Sequence, residues 1–355
     1  MNQLTAPNVI TAIAALAFAL STCAAQETVR ADGNFYEKSL HYTNRGLEYW
    51  YAAERGGLER ITGVPFSQLT CTKCHVRSCD TCHLKTVAGK ISYSNEPARA
   101  QEACIKCHGL EPLQYAQKNP NAADADVHFK RGFKCMECHS VREIHGDGTL
   151  YDSFQSPGAM DTTCEKCHTD LSKCTGHAVH NGRVDCGACH VRDLPSCYNC
   201  HFGMRIKEGK SVSLPLKNML FLVNHDGKVT TASLHTFVYE NRTMAVFGPA
   251  FPHNVMKEGR GCPDCHDTGI LRDIARGKFT PVVWENGTVK NTSGVIPVLD
   301  GLDWNFVFLD HKDGKWLPME KPARPLINYS GFSSPITRAQ FGKLLKPQGH
   351  AKSRD

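Results

Sequence analysis

Cysteine and histidine carry the chemistry of this 355-residue chain, since each occurs eighteen times. Sixteen of the cysteines belong to one pattern, Cys-x-x-Cys-His, which occurs eight times. A zinc site needs cysteine pairs assembled into fours and gives no reason for a histidine after each pair. A disulfide within Cys-x-x-Cys is strained and usually redox-active. Two thiols three positions apart can instead add to the two vinyl groups on one porphyrin edge, and the adjacent histidine can bind the iron.

The pattern therefore predicts eight covalently attached haems c. Their predicted attachment residues are the pairs Cys71/Cys74, Cys79/Cys82, Cys104/Cys107, Cys135/Cys138, Cys164/Cys167, Cys186/Cys189, Cys197/Cys200 and Cys262/Cys265. The histidine that follows each pair is the predicted first iron ligand: His75, His83, His108, His139, His168, His190, His201 and His266.

From Cys71 to His266 the chain resembles the multihaem c-type cytochromes, and specifically an octahaem one. The resemblance rests on the eight motifs. It implies export in an unfolded state and haem attachment outside the cytoplasmic membrane. It admits two activities: electron transfer, and reduction of nitrite, hydroxylamine or tetrathionate by an octahaem oxidoreductase.

The N-terminus independently indicates export. An apolar run from Val9 to Leu20, followed by small residues and then a charged segment, is typical of a secretory signal. Cleavage after Ala25 would release a periplasmic or extracellular protein. Attachment of lipid at Cys23 is the alternative, and it is the one route to membrane association that the sequence offers.

The sixth iron position decides the function, because a filled position suits electron transfer and an open one can bind substrate. His128, His180 and His253 are each separated from the next motif by five to eight residues, and are the first candidates for this position. The other predicted distal ligands are His145, His41, His177, His225 and His235. His311, beside a turn, and His350, in the basic tail, are left out of the predicted ligand set. We therefore expect bis-histidine iron throughout and a protein that is more an electron carrier than an enzyme.

Two features keep other functions open. Cys174 belongs to no motif and lies among the haem segments, where it is an inert thiol, an unusual iron ligand or a sulfur-reactive group. A spare histidine such as His41, His311 or His350 would allow one copy to ligate iron in the next, so a homopolymeric filament is a second form of the carrier hypothesis. The expected partners are redox proteins that donate and accept electrons.

Charge argues against a nucleic-acid partner. The formal net charge is +6. A ferric bis-histidine haem with two ionised propionates carries about −1 and a ferrous one about −2, so eight haems bring the total to roughly −2 oxidised and −10 reduced. Lysine and arginine are then expected to pair with propionates.

The spacing of the motifs sets the expected fold. Seven motifs lie between Cys71 and His201, which leaves too little chain to enclose each haem separately. The predicted fold class is a mostly irregular, short α-helical multihaem fold with a core of stacked haems and a small β-containing C-terminal cap. Asp226-Gly227, Asn286-Gly287 and Asp313-Gly314 predict hairpin turns. The predicted segments are a signal peptide (1–25), a helical lead-in (26–70), a seven-haem domain (71–204), a β-hairpin segment with the eighth haem (205–266) and a haem-free cap with a basic tail (267–355).

Overall fold

The helices are short, and several of them are formed by the motifs themselves. The computed structural model describes residues 35–69, 76–108, 125–171, 175–194, 196–210, 212–250 and 253–347, all within one compact unit, Asn34–Asp355. The predicted signal segment, the first motif (Cys71, Cys74 and His75) and Cys174 lie outside these residues. The α-helices are α1 (Leu40–Thr43), α2 (Arg45–Tyr51), α3 (Glu59–Thr62), α4 (Asp80–His83), α5 (Asn95–Arg99), α6 (Gln101–Ile105), α7 (Cys135–Cys138), α8 (Val141–His145), α9 (Thr175–His180), α10 (Cys186–His190), α11 (Phe202–Glu208), α12 (Cys262–Cys265), α13 (Gly269–Ala275) and α14 (Arg338–Leu344).

Two short strands lie before residue 195, and the other described strands lie after it. They are β1 (Leu84–Val87), β2 (Lys90–Tyr93), β3 (Ser196–His201), β4 (Leu214–Leu216), β5 (Met219–His225), β6 (Lys228–Tyr239), β7 (Arg242–Pro249), β8 (Lys278–Phe279), β9 (Val282–Glu285), β10 (Thr288–Asn291), β11 (Gly294–Pro297), β12 (Asp303–Trp304), β13 (Leu309–Lys312), β14 (Lys315–Pro318) and β15 (Leu326–Asn328).

One seven-stranded sheet organises the second half of the chain. Its strand order is β11-β5-β6-β3-β4, and β7 pairs with β6 and with β15. The β5–β6 hairpin turns at Asp226-Gly227, where both residues have positive φ as a two-residue type I′ turn requires. Hairpins β9–β10 and β13–β14 turn at Asn286-Gly287 and Asp313-Gly314 in the same way. The three dipeptides thus lie at the turns that they predict.

The sheet has its own apolar core. Phe221 and Phe247 are fully buried, and their ring centroids are 5.3 Å apart. Trp304 packs on Phe247 at 4.7 Å, and α13 and α14 add Leu271, Ile274 and Phe341 to the same cluster. Each such side chain contributes about 1.5–3 kcal/mol by its burial. This part of the molecule is therefore stabilised by ordinary side-chain packing.

The predicted fold class is wrong. Helix accounts for 31% and strand for 27% of the structure, which contains several sheets, so the fold is mixed and not mostly α-helical. The strands are also not confined to a C-terminal cap, because β3 carries the seventh motif and β1–β2 follows the second. The physical reason is that the apolar runs in β5, β6 and β7 bury themselves against one another across the sheet, which the local turn pattern alone does not reveal.

Candidate functional site

The motifs fold so that their two cysteines come close together. In α7, α10 and α12 the motif forms a single helical turn, and cysteines at positions i and i+3 lie on the same helix face. The motif of Cys197 and Cys200 lies on β3, where the strand register shifts between these two cysteines. Among the seven motifs that the structure describes, no disulfide joins any two cysteines.

Two motifs pass through a helical turn that ends before the second cysteine. Cys107 follows the end of α6, and Cys167 follows a 3₁₀ turn, Cys164–Lys166. The main-chain N–H groups of Cys107 and Cys167 each donate to the carbonyl of the first cysteine of their motif, both at 3.2 Å. These hydrogen bonds keep the two cysteines of each motif within one turn of each other, although the second cysteine lies outside the helix.

The motif cysteines of the described residues differ in exposure to the surrounding polypeptide: six are exposed and the others are half-buried. The exposed ones are Cys79, Cys107, Cys138, Cys164, Cys167 and Cys262. The buried apolar side-chain clusters of the described residues draw no member from 76–171, so Cys107 and Cys167 lie outside them.

Haem attachment at the sixteen cysteines stays a prediction. The assignments of Cys71 and Cys74 fall on residues outside the described part of the chain, together with that of His75. For the other fourteen cysteines the structure gives the position and the spacing of each pair and shows each thiol free of a disulfide. A free thiol is the form that can add to a vinyl group.

Each described motif histidine faces a second histidine from elsewhere in the chain. The ring centroids are separated by 5.9 Å for His83–His145, 6.0 Å for His108–His41, 6.1 Å for His168–His128, 6.2 Å for His139–His253, 6.2 Å for His190–His177, 6.3 Å for His201–His311 and 6.4 Å for His266–His180. No motif histidine is used twice among these seven pairs. Each pair is named below by its motif histidine, so that the His83 site is His83 with His145.

These separations fit a metal ion held between two imidazoles. An imidazole nitrogen binds a first-row metal ion at about 2.0–2.1 Å and the ring centroid lies about 1.2 Å behind it, so two such rings on opposite sides of one ion have centroids about 6.4 Å apart. Packed aromatic rings cover a similar range of distances, so distance alone does not distinguish a metal site from ordinary ring packing. The choice of partners supports a metal site: within the described ranges, every histidine–histidine ring contact joins a motif histidine to a non-motif histidine.

Hydrogen bonds at Nδ1 hold half of these fourteen rings so that Nε2 could face a metal ion. A metal-bound histidine usually donates its other ring N–H to a carbonyl or carboxylate, which fixes the orientation of the ring. The observed Nδ1 acceptors are Ser94 O for His83 (3.2 Å), Val141 O for His145 (3.1 Å), Leu171 O for His177 (3.1 Å), Gly176 O for His180 (2.8 Å), Lys343 O for His266 (3.1 Å), Asp126 Oδ1 for His128 (3.2 Å) and Glu143 Oε2 for His139 (2.7 Å).

Burial keeps several of the rings neutral, as metal binding requires. Burial and the neighbouring His108 lower the pKa of His41. Burial and His139 lower the pKa of His253. Both shifts favour the neutral ring, which is the form that can donate a lone pair.

One short helix supplies the second histidine to two sites. His177 and His180 both lie on α9, and they face His190 and His266 respectively. Residues three apart on a helix are about 5–6 Å apart at Cβ, so these two sites must adjoin each other. The main chain agrees, because Arg260 N donates to Cys189 O at 2.9 Å just before the last motif begins.

Six of the eight predicted distal ligands thus lie opposite a motif histidine: His41, His128, His145, His177, His180 and His253. His225 does not lie against any motif histidine that the structure describes. Its Nδ1 donates to Phe332 O at 2.7 Å, and its Nε2 is 3.4 Å from the Asp226 carboxylate. His235 lies on β6 opposite Cys197 in the strand register, and burial lowers its pKa to about 4. Both assignments stay predictions.

His311 is the residue that the sequence prediction set aside and the structure brings to a motif. It lies on β13, and its ring faces both His201 and Trp316, at 6.3 and 4.8 Å. The sequence offered one indication of this role, namely that only ten non-motif histidines exist for eight irons. Its place beside the Asp313-Gly314 turn made it look like an ordinary surface residue.

The remaining searches give no further assignment. Within the described part of the chain, no group of three or more His, Cys, Asp or Glu side chains is arranged to hold a metal ion. No helix of that same part is both long enough and apolar enough to cross a membrane. Comparison with protein-family models, curated proteins and solved structures finds no match for this chain.

Proposed function

We propose that this protein is an exported octahaem c-type cytochrome that relays electrons between redox partners. The observation that carries the proposal is the set of seven histidine pairs, each joining a Cys-x-x-Cys-His motif to one distant histidine at the spacing of two metal-bound imidazoles. Haem would supply reversible one-electron chemistry at each site. The chain's own residues would hold it through two thioether bonds and two imidazoles.

Contacts between the sites support a relay. The backbone of Gly146, next to His145, lies against Ser39, close to His41, so the His83 and His108 sites are neighbours. The Cys104 and Cys135 side chains lie close to each other, which places the His108 site beside the His139 site.

The row continues through the next three sites. The ring of Phe129, which follows His128, stacks on His253 at 6.4 Å, so the His139 and His168 sites adjoin. The Cys164 and Cys186 side chains lie close to each other, which links the His168 site to the His190 site. Helix α9 then joins the His190 and His266 sites. The proposed order along this row is His83, His108, His139, His168, His190 and His266.

A relay needs such closely spaced sites, because an electron can then pass from ring to ring in short steps. Two histidines on each iron leave no coordination position for a substrate, so these residues favour electron transfer over catalysis at the six sites of the row.

The His201 site is the one that favours the alternative, an octahaem oxidoreductase. His201 Nε2 donates to Leu309 O at 2.9 Å, whereas the other sites show their hydrogen bonds at Nδ1. Its second histidine, His311, comes from the β13–β14 hairpin, whose two strands form a sheet of their own. An isolated two-stranded hairpin has marginal stability. A displaceable ligand at this site would open one iron to substrate.

Spin state distinguishes the two functions. For the carrier we expect every ferric iron to be low-spin by electron paramagnetic resonance, and we expect the reduced protein not to bind carbon monoxide. A high-spin component, or carbon monoxide binding at one iron in eight, would favour the oxidoreductase. Export is tested separately, by recovering the protein from the periplasm or the medium.

A further inference from the structure

The His139 site differs from its neighbours in the group that accepts the Nδ1 hydrogen bond. His139 donates to the Glu143 carboxylate at 2.7 Å. In the other sites with a recorded Nδ1 bond the acceptor is a main-chain carbonyl, except that His128 lies 3.2 Å from Asp126. That aspartate oxygen also accepts from the main-chain N–H of His128 at 2.7 Å. The short carboxylate bond is therefore particular to the His139 site among the sites described.

Glu143 is fixed in place. It lies one helical turn after His139, on α8, and its side chain is 3% exposed. Its second oxygen, Oε1, accepts from the main-chain N–H groups of Asp161 and Thr162, both at 2.6 Å, and from the Thr162 hydroxyl at 2.7 Å. The main-chain N–H donors at Oε1 and the His139 ring at Oε2 are the partners of an acceptor-only carboxylate, and together they keep Glu143 turned toward His139.

We propose that Glu143 is a positioning residue that gives the His139 site the lowest reduction potential in the row. The inference rests on the proposed function, since it concerns the iron that His139 would bind. A buried carboxylate draws the Nδ1 proton toward itself and makes the imidazole a stronger donor to the metal. A stronger donor stabilises ferric over ferrous iron, and hydrogen bonding to ligands is one of the means by which proteins set haem potential. A neutral carbonyl acceptor has the same effect in weaker form.

The position of this site gives the effect a consequence for the relay. The His139 site lies between the His108 and His168 sites, so electrons moving along the row must cross it. A site of low potential is an uphill step for an electron arriving from either side. Under the proposal, Glu143 therefore makes the arrival of an electron at the His139 site energetically less favourable.

The test is a redox titration followed by absorbance, together with electron paramagnetic resonance, on the full haem-loaded protein. In Glu143→Gln the carboxylate charge is lost, and we expect one-eighth of the haem absorbance to move to higher potential while one low-spin ferric signal changes its g values. Glu137→Gln is the matched control. Glu137 lies between the two cysteines of the same motif and is exposed, and it bonds the Lys134 main-chain N–H rather than His139. Glu137→Gln removes the same charge beside the same haem, and we expect a smaller shift in its reduction potential and unchanged g values.

A second variant keeps the test decisive if Glu143→Gln does not mature. Thr162→Val removes the hydroxyl that bonds Glu143 Oε1 at 2.7 Å and lies 3.4 Å from His139 Nδ1. The carboxylate then keeps more negative charge and the Nδ1 proton has Glu143 as its remaining recorded partner, so we expect the same one-eighth of the haem to move to lower potential. The inference is overturned if Glu143→Gln matches Glu137→Gln in potential and g values, or if Thr162→Val leaves the titration unchanged or raises that potential. A wild-type protein without covalent haem would instead overturn the proposed function.

Discussion

Replacing His180 by alanine would remove the second imidazole from the His266 site and leave the other sites intact. The two rings are 6.4 Å apart, so under the proposed function one iron would lie between them with His180 as its sixth ligand. Loss of that ligand converts one iron of eight to the five-coordinate, high-spin state, or about 12% of the total. Alanine has a higher helix propensity than histidine, so α9 should persist.

The same helix supplies an internal check on this magnitude. His177 faces His190 from α9, so His177→Ala should produce an equal high-spin fraction at a different iron, and the double variant about 25%. High-spin ferric iron is quantified by electron paramagnetic resonance, with haem content from absorbance. Val179→Ala is the control, since Val179 lies on the same helix and its side chain is exposed, and it should add no high-spin iron. The reasoning is refuted if His180→Ala and His177→Ala remain fully low-spin with all eight haems in place.

Three further predictions follow from the described contacts. His235→Ala should make a further one-eighth of the iron high-spin, because seven of the eight proposed irons have a histidine pair and His235 is a half-buried ring outside those pairs whose pKa burial lowers to about 4; an unchanged spectrum would leave the first motif without an assigned ligand. Phe247→Ala should lower the free energy of unfolding by about 3–5 kcal/mol in urea denaturation followed by circular dichroism, whereas Phe154→Ala, at a side chain 42% exposed, should cost far less; equal losses would contradict the core described above. In chain produced without haem attachment, trypsin should cut within residues 76–171 and spare the sheet after residue 195, since the buried apolar clusters of the described residues draw no member from 76–171; uniform digestion would show that the sheet also depends on haem.

Local patterns in the sequence predicted the parts of the site that depend on local chemistry. The eight motifs follow directly from residue type and spacing. His128, His180 and His253 were singled out by their distance from the next motif, and the structure places each of them opposite a motif histidine. The sequence did not reveal which motif histidine each of the three would face. His128 precedes Cys135, yet it faces His168, because pairing depends on how distant segments cross in three dimensions.

In the fold, too, local features could be predicted from the sequence and long-range pairings could not. The turns at Asp226, Asn286 and Asp313 were predicted correctly, since a dipeptide decides the turn type. The parallel pairings of β11 with β5, of β15 with β7 and of β3 with β6 were not, because they join segments with no periodic pattern in common. These pairings create the buried core of the sheet, which the prediction of a mostly α-helical fold did not contain.

Covalent haem content tests the central claim most directly. The mature protein, purified from the periplasm or the medium, is denatured and its intact mass is measured by mass spectrometry, with the absorbance of the same denatured sample recorded alongside. We predict the mass of the processed polypeptide plus eight haems, and a haem spectrum that stays with the polypeptide. A polypeptide whose mass includes no tetrapyrrole, or a colourless sample that carries only a dissociable metal ion, would contradict the account.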